Sequence, residues 1–205
     1  MRAGNDYESA FWEKQQFVMG IDEAGRGPIA GPLVVCGVVL PIGFDHDGIY
    51  DSKAISKKKR EQLYEVILDQ AVAYCIQIKD AAFVDRFNIY QATRMAMEEC
   101  VAYSSVALGA VLTDAMPLRQ SAATVIPLIK GDQKSISIAA ASIIAKVTRD
   151  RIMEAYDQLY PQYGFARHVG YPTKEHLEKL REYGCLPIHR QSYGPVAELN
   201  QLTLF

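Results

Sequence analysis

Phe17-Val18-Met19-Gly20-Ile21-Asp22-Glu23-Ala24-Gly25-Arg26-Gly27-Pro28 carries an apolar run into two consecutive acids and then into a glycine-rich loop. The run has the length and composition of a buried strand, predicted over residues 17–22, and the glycines mark its end. Consecutive strand side chains point to opposite faces. Asp22 and Glu23 therefore converge only where the pleat breaks, and Gly25 and Gly27 permit such a break. Two carboxylates ~4 Å apart repel by about 4 kcal/mol at an effective dielectric near 20, and a bound divalent cation reverses that sign. A solvated turn after a strand would present the same residues.

Outward from this stretch, strands and helices alternate, which predicts an α/β fold. A Val-rich strand is expected over 33–40, between Pro32 and Pro41, followed by a helix over 56–73 with Ser56 as N-cap. A strand over 73–78 leads into helical pattern over 81–105, broken near Phe87-Asn88. Short apolar strands over 110–113 and 125–129 are followed by Asp114 and Asp132. A long helix over 135–159 shows Ile136, Ile138, Ala139, Ile143, Val147 and Ile152 on one face. Beyond it, glycines and prolines separate short helical stretches. The expected organisation is a catalytic core over 1–160, a helical appendage packed on it over 161–198, and a flexible tail over 199–205.

Asp22, Glu23, Asp114 and Asp132 all fall where predicted strands stop, the place where open α/β sheets build their sites. Hard oxygen ligands with no His or Cys beside them select Mg²⁺ or Mn²⁺ over zinc. Two such ions ~3.5–4 Å apart would suit phosphodiester hydrolysis. Four unrelated turn acids are the alternative.

Composition bounds the setting. A chain of 205 residues, 49% hydrophobic, buries one core with room for a small appendage. The net charge of −2 exerts no global pull on nucleic acid, so such binding rests on local clusters. Lys53, Lys57, Lys58, Lys59 and Arg60 form one, Lys146, Arg149 and Arg151 a second, and Arg167, His168 and Lys174 a third. Solvated helix faces would read the same way. Cys36, Cys75, Cys100 and Cys185 are widely spaced, which argues against a thiolate zinc site and a disulfide framework and suits a reducing cytoplasm. No signal peptide is apparent, and the longest apolar run, 28–40, is too short to span a bilayer.

The chain resembles the bacterial ribonuclease HII family, type 2 ribonucleases H. The resemblance runs through GIDEAGRGPIAGP at 20–32, DSK at 51–53, NIYQATRMAM at 88–97, KGDQKSISIAAASIIAKVTRDR at 130–151, YPQYGFARHVGYPTKEH at 160–176 and HRQSYGPV at 189–196. It implies a ribonuclease H-like fold with a mixed central sheet flanked by helices and a C-terminal helical region. It also implies cleavage of RNA paired with DNA, including 5′ of a single ribonucleotide embedded in duplex DNA, leaving 3′-hydroxyl and 5′-phosphate ends. By its motifs, Asp22, Glu23, Asp114 and Asp132 would hold two Mg²⁺ or Mn²⁺ ions. Gly25, Arg26 and Gly27 would contact the ribonucleotide's 2′-hydroxyl through their backbone, Tyr171 would pack on the adjacent deoxyribose, and Ser52 and Lys53 would touch the phosphate backbone. Two departures stand out: Ala115-Met116 follow Asp114 where many relatives carry Gly-Asn, and Val169 replaces a frequent basic residue.

His168, His176 and His189 are candidate general bases, though packing roles suit them as well. The last five residues resemble the bacterial sliding-clamp-binding peptide, with Gln201, Leu202, Leu204 and Phe205 at its recognition positions; a tail folded onto its own domain is the alternative. The resemblance implies a monomeric cytoplasmic enzyme in ribonucleotide removal during replication and repair. A ribonuclease HIII-like hybrid nuclease, or a non-catalytic nucleic-acid or clamp-binding module, are the other readings.

Overall fold

The computed structural model describes residues 2–119 and 121–202. Its elements in chain order are α1 (Asp6–Trp12), β1 (Phe17–Ala24), β2 (Leu33–Val39), α2 (Lys57–Gln70), β3 (Ala73–Lys79), α3 (Ala81–Phe87), α4 (Ile89–Ala102), β4 (Leu108–Asp114) and β5 (Thr124–Leu128). A 3₁₀ turn (Gly131–Gln133) then precedes α5 (Ile136–Leu159), α6 (Phe165–His168), α7 (Lys174–Tyr183) and α8 (Gly194–Leu202). The strands form one sheet in the order β3-β2-β1-β4-β5, with β1 antiparallel to β2 and parallel to β4, and β4 parallel to β5. This is the mixed sheet flanked by helices that the sequence implies.

Local chemistry sets the boundaries. Ser56 caps α2 by accepting from the Lys59 amide at 3.3 Å, and Asp80 caps α3 by accepting from Phe83 at 2.8 Å. Asn88 adopts φ +59, which ends α3 at the expected break, and its Oδ1 accepts from the Gln91 amide at 3.1 Å as α4 begins. Helix α1 was not anticipated: it is only seven residues long, and its polar residues hide its role.

The chain divides into two compact units that interleave along the sequence, where the sequence reading placed successive segments. The first comprises Met1–Ala24, Val34–Gln77 and Thr93–Val147; the second comprises Gly25–Leu33, Ile78–Ala92 and Thr148–Phe205.

All seven residues of β2 are buried, as a strand covered on both faces requires. Ala139, Ala140, Ala141, Ile143 and Ile144 of α5 are buried too. A Cβ added at Gly20 would lie 2.1 Å from the Ser137 carbonyl carbon and 2.4 Å from the Ile138 nitrogen, so the start of α5 approaches β1 backbone to backbone. Glu8 of α1 is fully buried beside that helix start, its Oε1 accepting from Ser135 Oγ at 2.5 Å and from the Ser137 amide at 3.0 Å. It satisfies an amide that the helix itself leaves without an acceptor, while burial pushes its carboxyl above the usual range.

Because backbone cannot yield as a side chain does, Gly20→Ala should destabilise the protein by about 1–3 kcal/mol. The midpoint and slope of urea unfolding measure it; an unchanged midpoint would contradict the close approach.

Candidate active site

In the first unit, β1 continues through Ala24, past the predicted end at residue 22. Asp22 and Glu23 thus lie inside a paired strand, opposite Cys36 and Val35, and the expected pleat break does not occur at the acids. The backbone departs only at Gly25, where φ is +101. Ladder pairing with β2 outweighs the glycine signal until pairing stops. Asp22 is buried, and its Oδ1 accepts from the Glu23 amide at 2.7 Å. Glu23 is half-buried.

Asp114 is the last residue of β4, and its Oδ1 accepts from the Gly131 amide at 2.8 Å, which ties it to the 3₁₀ turn that carries Asp132. Ala115 follows at φ +54, a region that favours glycine. An alanine there carries backbone strain of about 1 kcal/mol relative to glycine. The same turn is closed by Thr113 Oγ1 donating to the Met116 carbonyl at 2.5 Å.

The acids sense one another. Burial pushes the Asp22 carboxyl well above the usual carboxylate range, and the charges of Glu23, Asp114 and Asp132 push it further. Asp132 is raised to about 6 by burial and by Asp51 and Asp114, against an opposing pull from Lys53. The four acids expected from sequence are thus brought into one electrostatic neighbourhood. Among the described residues, no three His, Cys, Asp or Glu side chains stand at the spacing of a ready-made metal cage.

Asp51 is the acid the sequence reading missed. Its Oδ1 accepts from the Lys53 amide at 2.9 Å and its Oδ2 from Gln133 Nε2 at 3.3 Å, linking the Asp51-Ser52-Lys53 turn to the turn that bears Asp132. The signal was its place directly before two residues already chosen. Ser52 is buried and its carbonyl accepts from Arg60 at 2.7 Å, whereas Lys53 is exposed. Arg60 therefore turns inward, unlike the solvated basic face that its neighbours suggested.

In the second unit, Arg26 and Gly27 are exposed, and a Cβ at Gly27 would lie 3.3 Å from the Tyr171 ring, so two of the expected recognition elements adjoin. A Cβ at Gly25 would lie 2.3 Å from Arg149 Nε and 2.6 Å from the Pro32 carbonyl oxygen. Arg149, assigned to a basic cluster by sequence, is buried: Nε donates to the Pro32 carbonyl at 2.9 Å, Nη1 to Val169 at 2.9 Å and Nη2 to Ala30 at 3.0 Å. Burial and the neighbouring Arg190 lower it to about 10. Arg167 is engaged with Glu175, and His168 is buried, so the third basic cluster is dispersed as well.

The three histidines cluster, His168 stacked on His176 with ring centroids 4.3 Å apart and His176 hydrogen-bonded to His189, and their partners fix the tautomers. The Gly170 amide donates to His168 Nδ1 at 3.2 Å, leaving Nε2–H to donate to the Tyr163 carbonyl at 2.9 Å. The Leu186 amide donates to His189 Nδ1 at 2.9 Å. His189 Nε2–H then donates to His176 Nε2 at 3.1 Å, and His176 Nδ1–H to the Tyr171 carbonyl at 2.9 Å. Both ring nitrogens of each histidine have a hydrogen-bond partner within this unit.

Of the clamp-like peptide, Gln201 and Leu202 are the last residues of α8, so positions 199–202 are helical where a tail was expected. Leu204 and Phe205 lie outside the described residues. Among the described residues no helix is long and apolar enough to cross a membrane.

The profile of the family described as Ribonuclease HII matches residues 19–196. A ribonuclease HII of Lactobacillus helveticus is 50% identical over 192 residues, covering 94% of this chain and 76% of the relative. Among solved structures, ribonuclease H2 of Pyrococcus horikoshii aligns with a TM-score of 0.79 at 27% identity, covering 91% of this chain and 98% of that one. Ribonuclease HII of Archaeoglobus fulgidus, solved as a complex with PCNA, aligns with a TM-score of 0.71 at 26% identity over 87% and 95% of the two chains.

Acid should unfold the histidine cluster. Burial lowers both His176 and His189 to about 4, their strongest like-charge neighbours being His168 for the former and His176 for the latter. Unfolded histidines bind protons near 6.5, so the unfolded state takes up more protons between these values. Stability is therefore full above about pH 6.5 and is lost as pH falls toward 4. Melting temperatures across that range should drop steeply, and the drop should be shallower in His176→Gln.

Proposed function

The chain belongs to the ribonuclease HII family, and on that footing we propose that it is an endonuclease cutting RNA paired with DNA, including 5′ of a lone ribonucleotide within duplex DNA. The observation that carries this reading is the convergence of acids from β1, β4 and the turn before α5, with Asp22 buried and Asp132 raised to about 6. Buried acids that raise one another's pKa are costly unless a cation is due there. This donor set fits a divalent ion: it is all oxygen and anionic.

Asp22, Glu23, Asp114 and Asp132 would hold two Mg²⁺ or Mn²⁺ ions. Such ions supply charge neutralisation at the phosphate and acidity for the attacking water. Water adds across the phosphodiester: its oxygen joins phosphorus, and the 3′-oxygen leaves with a proton, giving 3′-hydroxyl and 5′-phosphate ends. Asp51 holds the Lys53 amide and Gln133, so it positions rather than reacts. Lys53, with the buried Ser52 turn behind it, offers an ammonium to the phosphate backbone. Gly25-Arg26-Gly27 reads the 2′-hydroxyl through peptide groups, and Arg26 pairs with phosphate. Tyr171, 43% exposed and against Gly27, packs on the neighbouring deoxyribose. The resulting cellular role is removal of ribonucleotides from replicated DNA.

The terminal Gln201-Leu202-Thr203-Leu204-Phe205 would bring the enzyme to a sliding clamp, its leucines and phenylalanine entering an apolar groove. Deleting residues 201–205 should weaken clamp binding at least about tenfold in surface plasmon resonance, the loss of one or two apolar anchors, without changing cleavage of free substrate. Undiminished binding would refute that part.

The central test compares a duplex carrying one ribonucleotide with an all-RNA strand on DNA, in Mg²⁺ and in Mn²⁺. Both should be cut, the first at one site. Asp22→Asn should abolish cleavage yet raise the melting temperature of metal-free protein. A buried acid whose pKa is raised is stabilising only while protonated, and that contribution is lost as pH rises through the folded value. Adding Mn²⁺ should raise the melting temperature of the wild type more than that of Asp22→Asn. A variant that cuts normally would sink the assignment.

A further inference from the structure

Arg190 is fully buried, and its guanidinium spends its hydrogen bonds on the loop that begins with Gly25. Nη2 donates to the Gly25 carbonyl at 2.6 Å and to Gly31 at 3.1 Å; Nη1 donates to the Arg26 carbonyl at 3.0 Å and to Tyr193 Oη at 3.0 Å. Tyr193 Oη donates to the same Arg26 carbonyl at 2.7 Å, and its ring lies under the guanidinium, 5.1 Å from centroid to carbon. On the far side, Asp85 accepts from the amides of Gln191 and Ser192 at 2.8 and 2.9 Å, fixing the backbone just beyond Arg190.

In a trans peptide the carbonyl and the N–H point in opposite directions, and no described peptide here is cis. Holding the Gly25 carbonyl inward therefore turns the Arg26 N–H outward. Holding the Arg26 carbonyl inward likewise turns the Gly27 N–H outward. Two successive amides facing one way make a concavity for an anionic or electron-rich oxygen. A cation on the carbonyl side also polarises each peptide and strengthens its N–H as a donor.

We propose that Arg190, seconded by Tyr193, is the positioning residue for ribose recognition: from the carbonyl side it aims the Arg26 and Gly27 amides at the 2′-hydroxyl oxygen. This rests on the reading above that Gly25-Arg26-Gly27 contacts the ribose. Arg190 itself touches no substrate. An anchor that served folding alone would affect affinity for every duplex equally; this one acts on the difference between ribose and deoxyribose.

The test is equilibrium binding by fluorescence anisotropy, in EDTA to prevent cleavage, of one DNA duplex with and without a single ribonucleotide. The readout is the ratio of the two affinities. Arg190→Lys keeps the charge but loses the two-pronged grip and should reduce the ratio by about tenfold or more, the scale of a lost charged hydrogen bond. Tyr193→Phe removes one hydroxyl with little change in packing and should reduce it by about threefold; it decides the matter should Arg190→Lys fold poorly. Affinity for the all-deoxy duplex should stay within about twofold in both. Ratios that equal the wild type's in folded variants would overturn the role of Arg190. Gly27→Ala separates the two readings: if it collapses the ratio while Arg190→Lys and Tyr193→Phe do not, only this inference fails. If it too leaves the ratio intact, ribose recognition by the loop fails with it.

Discussion

The backbone of β1 and the first turn of α5 approach so closely that position 20 has no room for a side chain. Asp22 stands two residues beyond that contact on the strand, and Asp132 stands shortly before the helix start that makes the contact. Fixing one backbone against the other thus sets the distance between two acids far apart in sequence. Glu8, with Ser135 and Ser137, secures the helix end of the same joint. Asp114 is tied in through the Gly131 amide, so the third acid is referenced to the same turn.

The two units hold concentrated charge in opposite ways. In the first, burial and neighbouring acids raise the carboxyls of Asp22 and Asp132, with Lys53 pulling the other way at Asp132. That arrangement stores unfavourable energy which a bound cation, as proposed, would release at the expense of stability without it. In the second, the buried guanidiniums of Arg149 and Arg190 donate to main-chain carbonyls rather than to carboxylates. Many carbonyl dipoles replace one counter-charge, and the loop's backbone is held at several points.

Legibility from sequence followed how local the signal was. The strands, the Ser56 cap, the Asn88 break and the long helix α5 were readable because periodicity and capping chemistry act over a few residues. The four acids were readable because each sits at or near a strand end. The strand position of Asp22 and Glu23 was misjudged, since pairing with β2 is a long-range effect that no neighbouring residue announces. Arg149 and Arg60 read as surface charge in the sequence because an arginine satisfied by carbonyls has no partner visible as a residue type. Asp51 was overlooked for a related reason: its partners are an amide two residues on and a side chain 82 positions away.

Recognition by peptide groups shifts the burden of specificity from side chains to whatever orients the backbone. At Gly25 a side chain would strike Arg149, and φ is +101, so the loop's shape is set by what surrounds it as much as by its own residues. Its carbonyls are held by a residue 164 and 165 positions later in the chain. On the proposed reading, variation within the loop at Arg26 would adjust phosphate affinity while the amides keep their aim. If the loop reads ribose as proposed, variation in the HRQSYGPV segment would change that aim directly. On that proposal, a segment that supplies no ligand to the acids would carry the discrimination between ribose and deoxyribose.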